Sequence, residues 1–182
     1  MKHLLDLSQY VKHYKLGFDS VTIETIEPDF NLNQPGLLMH GSMKDPYLIL
    51  KHGLVCRETN YFKGFKSEPQ ICLGLNNTNP DHTIKYNGAV KNTAVKYADY
   101  FKGDGMAYTI SEDVKNFITY TKEMEDLGEY QRGIATLTES IPPESIQGII
   151  TKNLSKAIAA ILKTRHKIPV YTPDGKQHTI VK

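Results

Sequence analysis

The chain has little of what several large protein classes need. Its 182 residues carry 22 Lys+Arg against 20 Asp+Glu, a formal balance of +2, so no strong field selects nucleic acid or an acidic membrane. Only Arg57, Arg132 and Arg165 are arginines; the other 19 basic residues are lysines. Two-pronged recognition of phosphates and base edges favours the planar guanidinium. A broad nucleic-acid-reading surface is therefore not expected, while a local basic pocket stays open. The two cysteines, Cys56 and Cys72, make neither a disulfide framework nor a four-cysteine zinc site, and fit buried thiols in a reducing compartment. Charges interrupt every apolar run, so no segment approaches the roughly 20 apolar residues of a membrane span, and no signal-peptide core is recognised. The phosphate-binding glycine loop, the dinucleotide fingerprint, the His-Glu-x-x-His helix and the nucleophile elbow are all missing. His82 and His178 have no partners at ligand spacing, so no metal site is expected.

What is present suits one soluble domain over residues 1–182, with 40% hydrophobic and 23% charged residues. Residues 1–36 would form an N-terminal helix and strand ahead of a core over 37–182. Leu4, Leu7, Val11 and Tyr14 recur at three- and four-residue steps, which predicts a helix over 2–15, stopped by Gly17. Residues 21–26 alternate as a strand, 31–36 are a turn, and Leu37-Leu38-Met39-His40 is a buried strand ending in Gly41-Ser42. Asp45 and Pro46 open a short helix through Lys51, closed by Gly53. A loop from Arg57 to Gln70 leads to the strand Ile71–Leu75, and a second loop covers 76–86. Val90, Ala94, Tyr97, Ala98 and Phe101 line a helix, and 106–110 is a strand. Ser111 would cap a helix through Leu127. Strands are expected at 134–138 and 146–150, a helix at about 154–165, and a closing hairpin over 168–181. Short strands mixed with short helices, without a steady β-α-β rhythm, make this an α+β chain.

Three segments stand out: Met39-His40-Gly41-Ser42, Ile49-Leu50-Lys51-His52-Gly53-Leu54, and Ile141-Pro142-Pro143-Glu144 just before Ile146. In this order, and with the Tyr97-Ala98 pair between them, the chain from 37 to 171 resembles the ADP-ribosyltransferase superfamily. The likeness is to its His-Gly-Ser/Thr branch, which includes the poly-ADP-ribose polymerases and many bacterial toxins and effectors. The resemblance implies a split mixed or antiparallel β-sheet core with flanking short helices. It also implies NAD as co-substrate, a macromolecular acceptor (a protein rather than nucleic acid), and no membrane. Small members of that superfamily often work as effectors, so the cytoplasm, of the producing cell or of a host, is the expected setting.

Cleavage of the nicotinamide–ribose bond passes through an oxocarbenium-like state, as glycoside cleavage does. By motif position, the resemblance implies that His40 hydrogen-bonds the adenosine-side ribose, the Gly41 backbone holds the nicotinamide carboxamide, and Ser42 bonds the neighbouring ribose. Cys72 stands where the family usually carries the tyrosine that stacks on nicotinamide, so Tyr61, Phe62 or Phe65 would supply that face. Arg57 is the nearest cation for the diphosphate. The catalytic carboxylate would be Glu139 or Glu129; Glu129-Tyr130-Gln131 is similar to the paired Glu/Gln pattern of mono-ADP-ribosylating toxins. Two other readings keep the fold: an interaction module without catalysis, to which Cys72 points, and an NAD-dependent RNA 2′-phosphotransferase. The second wants several arginines around a phosphate, and this chain has three in all.

Overall fold

The computed structural model describes residues 1–27, 38–55, 71–75, 105–111, 113–114, 118–119, 134–137 and 140–181. Ten described strands form one mixed sheet: β1 Lys2–Asp6, β2 Ser20–Ile26, β3 Leu38–Ser42, β4 Ile71–Leu75, β5 Met106–Ile110, β6 Ile118–Thr119, β7 Ile134–Leu137, β8 Ile146–Thr151, β9 Val170–Tyr171 and β10 Gln177–Ile180. Their spatial order is β1-β2-β10-β9-β8-β5-β3-β4-β7-β6. The described helices are α1 Ser8–Tyr14, α2 Pro46–His52 and α3 Leu154–Thr164. The mixed α+β class expected from the short alternating segments is what the chain adopts. No described helix is long and apolar enough to cross a membrane.

Every neighbouring pair of strands is antiparallel except β8 and β9, which pair Ile149 with Val170 and Ile150 with Tyr171 in parallel. A parallel pair needs a crossover, and α3 supplies it. Asn153 caps that helix by accepting the Lys156 N–H at 3.1 Å. Ala157, Ile158, Ala159, Ala160 and Ile161 are all buried, because α1 and α2 both pack against α3 while it lies on the sheet. The closing hairpin forms as expected: β9 and β10 pair through Gln177↔Tyr171, and the Thr172 N–H donates to the Lys176 carbonyl at 3.0 Å across the turn.

Strand β5 occupies the middle of the sheet, and all five of its residues are buried, as its unbroken run Met-Ala-Tyr-Thr-Ile requires. Leu38, Tyr108, Ile110 and Ile149 cluster with Ile49, Leu50, Ile158 and Ile161 on the helix side. Met39, Ala107 and Ile150 alternate with them onto the other face and are also fully buried. Each such aliphatic side chain contributes about 1.5–3 kcal/mol on burial.

Two local expectations are corrected. Residues 2–6 are an edge strand rather than the first turns of a helix: β1 pairs with β2 from Lys2↔Glu24 to Asp6↔Ser20. Leu4, which the helical pattern counted as a core position, is 69% exposed. Only Leu7 and Tyr14 of that pattern are buried, and Lys15, in the left-handed region at φ 52°, ends α1 in place of Gly17. Further on, Ser111 does cap a turn, accepting the Asp113 N–H at 3.4 Å, but Ile118 and Thr119 then pair with β7, so no continuous helix runs from 112 to 127. The helix expected around Val90 to Phe101 and the turn at 31–36 lie outside the described residues.

Candidate functional site

His40, Gly41 and Ser42 form the last three residues of β3 and are all half-buried. On one side β3 stays paired with β5 to its end, through His40↔Tyr108, Gly41↔Ala107 and Ser42↔Met106. On the other side its ladder with β4 covers Leu38↔Leu75 and Met39↔Gly74. Strand β4 then continues with β7 from Gly74↔Ile134 to Ile71↔Leu137. Among the described residues, Gly41 and Ser42 therefore lie past the end of the β3–β4 ladder. Continuing that register puts the Cys72 backbone level with Gly41. Unpaired main-chain groups at a strand end can pair with a ligand as a sheet edge does.

Ser42 turns the chain into α2. Its Oγ accepts the Lys44 N–H at 3.1 Å, which occupies one lone pair and leaves the hydroxyl proton for another acceptor. Asp45 then caps α2 by accepting the Tyr47 N–H at 2.9 Å, as its place before Pro46 predicted. The same carboxylate does more than cap. It lies 2.6 Å from Nε2 of His13 and accepts the Tyr14 hydroxyl at 2.7 Å, so two side chains of α1 hold the connection that follows His-Gly-Ser. Burial works to raise the Asp45 carboxyl; the hydrogen bonds from His13, Tyr14 and the Tyr47 amide outweigh it and hold the group below the ordinary carboxylate range.

Beneath this cluster, Tyr108 is the cross-strand neighbour of His40 and is 0% exposed, and among the described residues its hydroxyl has no hydrogen-bond partner. Burial pushes its ionisation far up, and the Asp45 charge adds to the push. Leaving such a hydroxyl unsatisfied costs about 1–3 kcal/mol, which the buried ring must offset.

The other two motif segments meet in space. Leu54 and Ile141 form an antiparallel bridge, with the Leu54 N–H donating to the Ile141 carbonyl at 2.9 Å and the Ile141 N–H to the Leu54 carbonyl at 2.8 Å. Gly53 makes the approach possible. It sits at φ +74°, and a Cβ there would lie 2.0 Å from the Ile141 oxygen. Pro142 then leads into a single 3-10 turn, Pro143–Ser145, which delivers the chain to β8.

Of the residues proposed for the site, the structure thus places His40, Gly41 and Ser42 at the end of β3, and Cys72 in the neighbouring β4, where it pairs with Thr136 of β7. Arg57, Tyr61, Phe62 and Phe65 lie outside the described residues, and so do Glu129 and Glu139. Sequence reasoning took Asp45 as a helix cap alone. Nothing in the spacing of His13 and Tyr14 signalled that they converge on it, because that contact depends on how α1 packs. No protein-family model, no curated protein and no solved structure matches this chain.

Proposed function

We propose that the chain is an NAD-dependent ADP-ribosyltransferase, which transfers ADP-ribose to a macromolecular acceptor and releases nicotinamide. One observation carries the reading: among the described residues Gly41 and Ser42 end β3 beyond its ladder with β4, which leaves main-chain groups beside a residue without a side chain past the last pairing on that side. A flat carboxamide needs that kind of partner, one backbone acceptor and one backbone donor with no Cβ in the way. Ser42 suits a ribose hydroxyl, since its oxygen already takes one donor and its own proton remains to be given. The Gly53-enabled bridge from Leu54 to Ile141 supports the reading further, for it brings the second and third motif segments together.

In the reaction, the bond between ribose C1′ and the nicotinamide nitrogen breaks, and its electron pair leaves with neutral nicotinamide. The acceptor nucleophile bonds to C1′ and loses its proton. A carboxylate beside the ribose, Glu139 or Glu129, would stabilise the positive charge in between. His40 would hold the adenosine-side ribose, and Tyr61 or Phe62 would cover the nicotinamide in place of the tyrosine that Cys72 replaces. Arg57 would meet the diphosphate. A protein acceptor in the cytoplasm, of the producing cell or of a host, completes the proposal.

The test is calorimetric titration with NAD together with chromatographic detection of nicotinamide. The expected result is saturable binding and release that His40→Ala weakens, with Glu139→Gln or Glu129→Gln abolishing release alone. Absence of binding at millimolar NAD overturns the proposal. The Cys72 substitution favours a second reading, a domain that binds without catalysis, and NAD binding with no release by the unaltered chain would select it.

A further inference from the structure

The sheet ends differently on its two sides. At one end β6 is two residues long, which leaves little edge to pair with. At the other end β1 is five residues long, and no described strand lies beyond it. Met1 fixes which way the main-chain groups of β1 point. Its ammonium donates to the Thr25 carbonyl at 2.6 Å, and its carbonyl accepts the Thr25 N–H at 2.8 Å. Past the other end of β1, the Leu7 N–H donates to the Asp19 carbonyl at 2.7 Å. The register between them is unbroken, from Lys2↔Glu24 to Asp6↔Ser20. Bonded and non-bonded pairs alternate in an antiparallel ladder, so the odd residues of β1 turn their amides and carbonyls to β2. Lys2, Leu4 and Asp6 turn theirs outward, along the open edge.

The same three residues share one face of the sheet, because side chains alternate as well. All three are exposed, Leu4 at 69%. A lysine on an edge strand ordinarily repels a second strand, and Lys2 stands in that position. It does not do so against its own kind, since Lys-x-Leu-x-Asp is complementary to itself when reversed. A two-fold axis at Leu4 sets Leu4 opposite the partner's Leu4, Lys2 opposite the partner's Asp6, and Asp6 opposite the partner's Lys2. These are the residues whose main-chain groups face outward, so each pair can exchange both of its backbone hydrogen bonds. Sliding the register by two residues either way sets Leu4 against a charged residue and breaks both ion pairs. Asp6 accepts the Ser8 N–H at 2.8 Å through one carboxylate oxygen, which leaves the other for an ammonium group.

We propose that β1 pairs antiparallel with β1 of a second copy of the chain, joining two sheets into one across a two-fold axis. The pairing is isologous and closes on itself, so it makes a dimer and not a fibre. Exposed ion pairs add little strength, and their part here is to fix the register. Five residues a side make a small interface, so the dimer is weak and depends on concentration. The proposal goes beyond the NAD reading and does not depend on it.

Sedimentation equilibrium of the full chain at low salt, from about 10 to 500 µM, tests it. The average mass should climb with concentration from the 20.6 kDa of one chain toward twice that value. Leu4→Pro removes an outward N–H that β2 does not use, so it should keep the fold and weaken the dimer about tenfold or more. Lys2→Asp and Asp6→Lys should each weaken it about tenfold, since like charges then meet at both ends. Mixed in equal amounts, these two variants should associate as the unaltered chain does, because each offers one sign of charge to the other. That rescue also shows that both are folded. A monomer at every concentration overturns the proposal and leaves the edge to a strand of another protein. A dimer that Leu4→Pro leaves intact, or a mixture without rescue, overturns it as well.

Discussion

Two polar clusters flank the sheet, and they hold their elements by opposite means. On the helix side, Asp45 is a carboxylate kept charged: His13, Tyr14 and the Tyr47 amide all reach it, tying α1 to the start of α2. On the hairpin side, His178 of β10 is an imidazole kept neutral. It is 6% exposed, meets Thr25 of β2 at 2.9 Å through Nδ1, and lies near Thr172 of the turn. Burial lowers its ionisation first, the nearby charge of His3 lowers it further, and Asp174 opposes both. The hairpin side is also stitched by continuous backbone ladders through β2, β10 and β9. The helix side has no such ladder between its helices, so among the described residues it rests on side-chain partners and on the Leu54–Ile141 bridge. Removing one partner should therefore cost more there than on the hairpin side.

The largest effect is expected from Gly53→Ala. Positive φ strains any side chain, and the new Cβ would meet the Ile141 carbonyl at 2.0 Å, so the bridge must open. A loss of about 3–5 kcal/mol in chemical denaturation is expected. A loss under 1 kcal/mol would show that the helix side does not hang on this bridge. Asp45→Ala comes next: it removes the α2 cap and strips the Tyr14 hydroxyl of its acceptor, at about 2–3 kcal/mol by the same measurement. Asp45→Asn keeps a capping oxygen and should recover roughly half of that.

Acid separates the two clusters by window. The folded Asp45 carboxyl titrates below its ordinary 3.8, so its contribution is full above that value and is lost as pH falls through the lower folded one. The folded His178 titrates below its ordinary 6.5, so the unfolded chain binds protons first and stability begins to fall once pH drops past 6.5. Melting temperature followed from pH 8 to pH 3 should show both phases. His178→Gln should flatten the upper phase only, the smallest of these effects. If the upper phase persists in that variant, the neutral imidazole is not what stabilises the hairpin side.

How far the chain could be read without coordinates differs between these sides in the same way. Helices α2 and α3 were legible because their signals are local: Asp45 accepts from an amide two residues on, and the apolar steps of α3 repeat within a turn, while its Asn153 cap went unread. The hairpin at the C-terminal end was legible for the same reason, from its Pro173-Asp174-Gly175 turn. Residues 2–6 were misread because Leu4, Leu7, Val11 and Tyr14 satisfy a helical period by coincidence. Pairing with β2 decides the matter, and β2 is contributed by residues 20–26. The stretch after Ser111 failed likewise, since β6 exists only where β7 is beside it. At the site, His40, Gly41 and Ser42 were marked by their order after an apolar run. The carboxylate that fixes the next turn was marked, but its partners were not.

By itself, then, the amino-acid order determined the capped helices, the apolar core strands, the closing hairpin and the His-Gly-Ser segment. Each depends on interactions within a few residues, where spacing and side-chain chemistry suffice. Tertiary structure alone decided that residues 2–6 join the sheet edge and that Gly41 lies where β4 leaves β3. It also decided that His13 and Tyr14 close on Asp45, and that Gly53 lets residue 54 bond to residue 141. These are contacts between distant segments, and their geometry comes from the packing of helices on a common sheet rather than from any neighbouring residue.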